Sequence, residues 1–140
     1  MLIMQKVIPL IFIIVMLLAA CSGNATPSLI AADQPTLVFI YTNGWIPWAQ
    51  VTPIVDGLEQ KYGDRIAFKR VNANEGDGPT IMRDYRVLGH PTLLIFDSQG
   101  QEVRRFIGSQ PAETIEEVLD SVLTLERWMF KRPTASPIWR

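Results

Sequence analysis

The chain has very few side chains able to run covalent chemistry in pairs. Its 140 residues hold one cysteine, Cys21, and one histidine, His90. A single cysteine excludes an intramolecular disulfide, whatever the redox poise of the compartment. A single histidine excludes a His–His site, and no Cys/His cluster at metal-ligand spacing occurs, so no metal is expected. Gly-rich phosphate loops of the P-loop or dinucleotide type are also missing, and no cofactor is expected. There is no basic stripe with interleaved aromatics, and the formal net charge is −1, so nucleic acid is not an expected partner.

Charge is scarcest at the start. Met1 to Lys6 is weakly basic, and Val7 to Ala20 is an uninterrupted apolar run of fourteen residues containing Pro9. That is short of the ~20 residues a spanning helix needs and suits the apolar region of an export signal. Leu18-Ala19-Ala20-Cys21 then resembles the lipobox of bacterial lipoproteins, which implies cleavage before Cys21 and lipidation of its sulfur. The alternative is an uncleaved membrane anchor with an ordinary thiol. Lys6 is the only charged residue among the first twenty, so the rest carries 12 basic and 14 acidic groups, a net charge of −2. Ser22 to Asp33, rich in Ser, Ala, Asn, Gly and Thr, reads as a flexible spacer.

One globular domain follows. Thr36 to Tyr41 is a nearly continuous apolar run, the mark of a strand buried on both faces. Gly44-Trp45-Ile46-Pro47-Trp48 turns from it into a helix whose apolar positions Trp48, Val51, Ile54, Val55 and Leu58 recur at spacings of three and four, with Gly63 at its end. Pro53 inside that pattern predicts a kink. Arg65 to Asn72 reads as a second strand. Asn74 to Pro79 is a loop, from which Asp77 or Gly78 caps a short helix running to about Tyr85. Thr92 to Phe96 and Glu102 to Ile107 form an antiparallel hairpin about the turn Asp97-Ser98-Gln99-Gly100. Ile115, Val118, Leu119, Val122 and Leu123 mark a last amphipathic helix, with Glu113, Glu116 and Glu117 toward its N-terminus. The resulting divisions are 1–20 signal, 21–34 spacer, 35–126 domain and 127–140 tail.

A strand–turn–helix junction is where α/β folds place their chemistry. Here it offers two indoles and no nucleophile, acid, base or soft metal ligand. The order β, kinked α, β, α, β, β, α, with Pro53 five residues after Trp48, Gly89-His90-Pro91-Thr92 before a strand, Gly100 in a hairpin and Gly108 before the last helix, resembles the thioredoxin-like family over residues 35–123. The resemblance implies an α/β thioredoxin-like fold, a central mixed sheet of about four strands flanked by helices, with a cis-proline at Pro91. It places the Cys-X-X-Cys pair on Trp45 and Trp48, with Ile46 and Pro47 between them, and the family's buried acid on Phe39. An indole can neither ionise to a nucleophile near neutral pH nor form a mixed disulfide, so no catalytic residue is expected.

What the resemblance leaves is recognition. Trp45, Trp48, His90 and Pro91 make an aromatic face for an extended peptide, which such proteins pair with the residue before the cis-proline. Packing is the alternative for Trp48, and local hydrogen bonding for His90. The expected protein is a redox-inactive binding module for an unidentified extracytoplasmic protein or extended peptide. Its expected place is the cell envelope, lipid-anchored to the outer face of the cytoplasmic membrane or to an outer membrane if one is present. A thiol-disulfide oxidoreductase of envelope redox homeostasis and a structural spacer are the alternatives. In the tail, Trp128, Met129 and Phe130 followed by Lys131-Arg132 read either as a headgroup or partner contact or as a frayed extension.

Overall fold

The protein is described by a computed structural model covering residues 29–44 and 46–131, without the side chains of residues 46–49. Residues 1–28, where the sequence placed a signal and Cys21, together with Trp45 and residues 132–140, lie outside the described residues, as do the side chains of Ile46, Pro47 and Trp48. Seven elements follow in order: β1 (Thr36–Tyr41), α1 (Ile46–Tyr62), β2 (Ala67–Asn72), α2 (Gly78–Asp84), β3 (Thr92–Phe96), β4 (Glu102–Ile107) and α3 (Ala112–Lys131). The sheet order is β2-β1-β3-β4. β1 runs parallel to β2, with Thr36 opposite Ala67 and Tyr41 opposite Asn72, and antiparallel to β3, with Thr36 opposite Phe96 and Ile40 opposite Thr92.

The unbroken apolar character of β1 has a direct cause: its side chains alternate between two cores. Leu37 and Phe39 face Val51, Val55, Leu58 and Tyr62 of α1 and Ile115, Leu119 and Val122 of α3. Val38 and Ile40 face Ile81 of α2, with Val87, Leu94 and Phe96, on the other side. β3 behaves in the same way, and all five of its residues are buried. Helices therefore cover both faces of the sheet, which is the expected α/β arrangement.

Three boundaries differ from the sequence expectation. The packed domain begins before residue 35: Leu29, inside the stretch assigned to a spacer, is buried in the second core, and Ile30 packs beside it. The second strand starts at Ala67 because the amides of Arg65 and Ile66 both donate back to the Tyr62 carbonyl, at 2.8 and 2.9 Å, closing the helix end. α2 is preceded by Asp77, but the Asp77 carboxylate makes no capping bond. α3 runs on to Lys131, so residues 127–131, assigned to the tail, are helical. α1 continues through Pro53.

Two contacts hold the ends of the elements in place. Glu126 of α3 is buried, and its carboxylate accepts from the Ser98 amide at 3.0 Å and the Ser98 hydroxyl at 2.6 Å, tying the helix to the β3–β4 turn. The same turn is closed internally by Asp97, whose Oδ1 accepts from the amides of Gln99 and Gln101. At the opposite end of the sheet the first residue of α2, Gly78, lies so close to β2 that an added Cβ would stand 1.9 Å from the Asn72 carbonyl oxygen. The nearest atoms are all backbone of Asn72 and Ala73, so no flexible group is there to give way. Gly78→Ala is accordingly expected to destabilise the fold by at least the ~1–3 kcal/mol typical of overpacking, measured as a lower urea midpoint, whereas Gly57→Ala, with open space around it, is expected not to lower it.

Candidate functional site

The register of β1 gathers the junction at one end of the sheet. Ile40 stands opposite Thr92, so the chain leaving β1 at Tyr41 passes the chain entering β3 at Pro91. Tyr41 also stands opposite Asn72, and the Ala73 amide donates to the Tyr41 carbonyl at 2.7 Å, which brings the β2–α2 loop to the same end. Asn43 in the turn after β1 reaches that loop, its Nδ2 donating to Glu75 Oε1 at 3.2 Å. Gly44 turns the backbone at φ +85, a conformation glycine adopts without penalty, and α1 starts two residues on.

The loop before β3 is fixed from several sides. The His90–Pro91 peptide is cis, as the sequence implied, and Pro91 is buried with its carbonyl accepting from the Gly108 amide at 2.8 Å. Thr92 Oγ1 donates to the Gly89 carbonyl at 2.7 Å. His90 is half-buried between these anchors. On the far side Arg105 of β4 donates to the carbonyls of Arg86 and Tyr85, at 2.9 and 2.8 Å, while Glu102 accepts from the same guanidinium at 2.8 and 2.7 Å. That carboxylate holds the Arg105 guanidinium above its ordinary range against the opposing effect of burial. Arg105 thus ties the end of α2 to the sheet.

The chemistry available at this end is sparse. Beside the turn lies a cleft of about 170 Å³ lined by Phe39, Tyr41, Asn43, Thr52 and Arg70. Phe39 is 1% exposed and stacks on Tyr41, ring centroids 5.3 Å apart. The place implied for a buried acid is thus a phenyl ring stacked on a phenol. Arg70 is engaged by Asp56 and Glu59 of α1, each at 2.6 Å. Burial works against its charge, yet the two carboxylates outweigh that and hold it above its ordinary range. Among the described residues no group of three or more His, Cys, Asp or Glu side chains is placed to hold a metal ion.

Of the residues singled out in the sequence, the fold brings His90 and Pro91 to the sheet end that carries the β1–α1 junction. Trp48 sits in the first turn of α1, and Ile46 and Pro47 open it. The sequence reading missed the apolar rim beside His90. Leu88 is 92% exposed and Ile107 is 56% exposed, and the Ile107 side chain lies against Gly89, 3.9 Å from where a Cβ would be. Ile107 was legible in principle, because Arg105 and Ile107 alternate along β4. Leu88 was not, since it follows a buried Val87 in an irregular loop.

A family model described as Thioredoxin matches residues 23–121. The chain is 36% identical to the Thioredoxin of Porphyra purpurea over 96 residues, which cover 66% of this chain and 83% of that protein. It is 32% identical to Thioredoxin 1 of Synechococcus elongatus over 114 residues, 77% of this chain and 100% of that protein. It is 33% identical to Thioredoxin 1 of Nostoc sp. over 96 residues, 66% and 83%.

If Arg105 is what ties the loop that ends in Pro91, its removal has a local signature. Arg105→Ala is expected to cost roughly 1 to 2 kcal/mol, the low end for hydrogen bonds to a charged group because the guanidinium is partly solvated. Amide exchange at Tyr85 to His90 rises while β1 and β3 keep their protection. Unchanged exchange in that loop would contradict the assignment.

Proposed function

The chain belongs to the thioredoxin family, and from that premise we propose that it is a redox-silent, membrane-tethered member whose site recognises a polypeptide instead of exchanging disulfides. One combination supports this: the β1–α1 junction and the cis-proline loop stand at one end of the sheet, while the sequence has no cysteine after Cys21. Thiol exchange requires a thiolate to attack a disulfide sulfur. Trp45 and Trp48 occupy the two positions, and Phe39 occupies the position of the assisting acid.

The retained parts favour an extended peptide. The chain at His90, just before β3, is where the family resemblance places pairing with an extended segment by short β-augmentation. Leu88 and Ile107 supply an apolar rim beside His90, and the indoles of Trp45 and Trp48 supply residue types that dominate binding at protein interfaces. Cys21, in a lipobox-like sequence after a short apolar run, supports export and a lipid tether in the cell envelope. Among the described residues no helix is long and apolar enough to cross a membrane.

The names of the relatives favour a second reading, in which the domain is still a thiol-disulfide oxidoreductase. On this chain that activity has only Cys21 to draw on, a lone thiol with no resolving partner. Insulin reduction with dithiothreitol separates the two. The domain beginning at Cys21 is expected to show turnover at background. Turnover above background that survives Cys21→Ser would overturn the binding assignment.

A further inference from the structure

The fold has two poles, and the one opposite the candidate site carries an unexplained apolar surface. At that pole lie the start of β1, the β3–β4 turn and the C-terminal end of α3. The last two turns of α3 expose Leu125 by 58%, Trp128 by 68%, Met129 by 39% and Phe130 by 79%, with Val103 of β4 beside them at 42%. Leu125, Met129 and Val103 line an open groove of about 290 Å³ with Val122, Asp97 and Glu126. So many large apolar side chains in one place, on a well-formed helix end, mark a contact surface.

Two independent features say what the surface meets. The first is charge. The end of α3 carries Arg127 and Lys131, both exposed, and its one acid, Glu126, is turned inward onto Ser98. The sequence beyond adds Arg132 and Arg140 and no acid. The other acids of this pole lie back from the helix tip: Asp97 and Glu126 keep their charge at the inner side of the groove, Asp64 is paired with Arg65, and Asp33 is exposed before β1. Tryptophan and phenylalanine interleaved with arginine and lysine are the composition of a bilayer interface, where rings sit at headgroup level and cations meet anionic lipid.

The second feature is the route of the chain. Ile30 packs on the β3–β4 turn, its Cδ1 3.5 Å from where a Cβ of Gly100 would be, and α3 packs on the same turn through Glu126 and through Met129, whose sulfur accepts from Gln99 at 3.5 Å. The N-terminal end of the packed domain and the aromatic end of α3 therefore share one pole. Cys21 is eight residues before Leu29, a reach of at most roughly 28 Å. A lipid on Cys21 would hold this pole, and not the site, toward the membrane.

We propose that the end of α3, through Leu125, Trp128, Met129 and Phe130 with Arg127 and Lys131, seats the domain on an anionic lipid surface and turns the Pro91 site away from it. α3 runs from one pole to the other, and its 20 residues set the site about 30 Å from the bilayer. The orientation rests on the tether proposed above; the surface contact does not.

The test uses residues 21–140 with Cys21→Ser, which contain the whole packed domain and carry no lipid, in co-sedimentation with vesicles. Binding to phosphatidylcholine vesicles containing phosphatidylglycerol is expected to exceed binding to phosphatidylcholine alone by about fivefold for each cation engaged, and to fall with salt. Trp128→Ala with Phe130→Ala, both exposed and hence without effect on the fold, is expected to weaken it by about tenfold or more. Leu88→Ala, at the site pole, leaves it unchanged. Absence of binding to the anionic vesicles overturns the proposal, as does binding that survives the double substitution or is lost equally with Leu88→Ala. Self-association through Trp128 without vesicle binding overturns it in favour of a dimer contact. Mass spectrometry of Cys21 in the native protein separates the two claims: a lipidated Cys21 beside a domain indifferent to vesicles leaves the tether standing and removes the seat, and a bare thiol beside vesicle binding does the reverse.

Discussion

β1 is the constraint on which the remainder of the structure depends. Like β3 it is hydrogen-bonded on both sides and feeds both cores, and it alone joins a parallel partner, β2, to an antiparallel one, β3. Its pairing with β2 and β3 sets where the chain turns into α1 and where it enters β3, and so brings the β1–α1 turn and Pro91 to one end. A register slip of one residue would exchange Leu37 and Phe39 with Val38 and Ile40 between the cores. Burial on both sides therefore specifies the geometry of the site, and of the site's residues Phe39 itself belongs to the core. This is how a fold can hold an active-site shape after the reactive side chains have been replaced.

That separation explains the combination found here. The sulfurs of a Cys-X-X-Cys pair contribute to reaction and little to the packing of β1, α1 or β3. On the reading proposed above, their replacement is compatible with the sheet order, the cis-proline loop and the Gly108–Pro91 bond seen here. Phe39 shows the same logic from inside the core: a buried acid is tolerated where proton transfer needs it, and a phenyl ring stacked on Tyr41 is the less costly occupant where no proton moves. In the proposed reading Trp45, Trp48 and Phe39 point in one direction although they sit on different elements.

Most of the fold was legible because its signals are periodic. The two-faced run of β1, the three-and-four spacing of α1, the hairpin turn at Gly100 and the apolar stripe of α3 each report burial. What escaped was set by contacts between distant residues. Leu29 lies in a stretch whose composition suits a spacer, and only the groove beside Ile81 and Phe96 makes it core. Glu126 looks like any helical surface acid until Ser98 is found beneath it, and the helix continues past it to Lys131. Arg105 reads as a charge on a strand edge, yet its partners are two backbone carbonyls some twenty residues earlier. Of the site, Pro91 and His90 were visible from the Gly-His-Pro-Thr sequence, whereas the exposed Leu88 had no pattern to reveal it.

The central claim is that the scaffold has kept the thioredoxin geometry and lost only the reacting groups. Restoring them tests it most directly: Trp45→Cys with Trp48→Cys, in a Cys21→Ser background, assayed for dithiothreitol-dependent insulin reduction with folding checked by circular dichroism. The account predicts turnover well above that of the parent, raised further by Phe39→Asp if the fold tolerates it. A folded double-cysteine protein as inactive as the parent would contradict it.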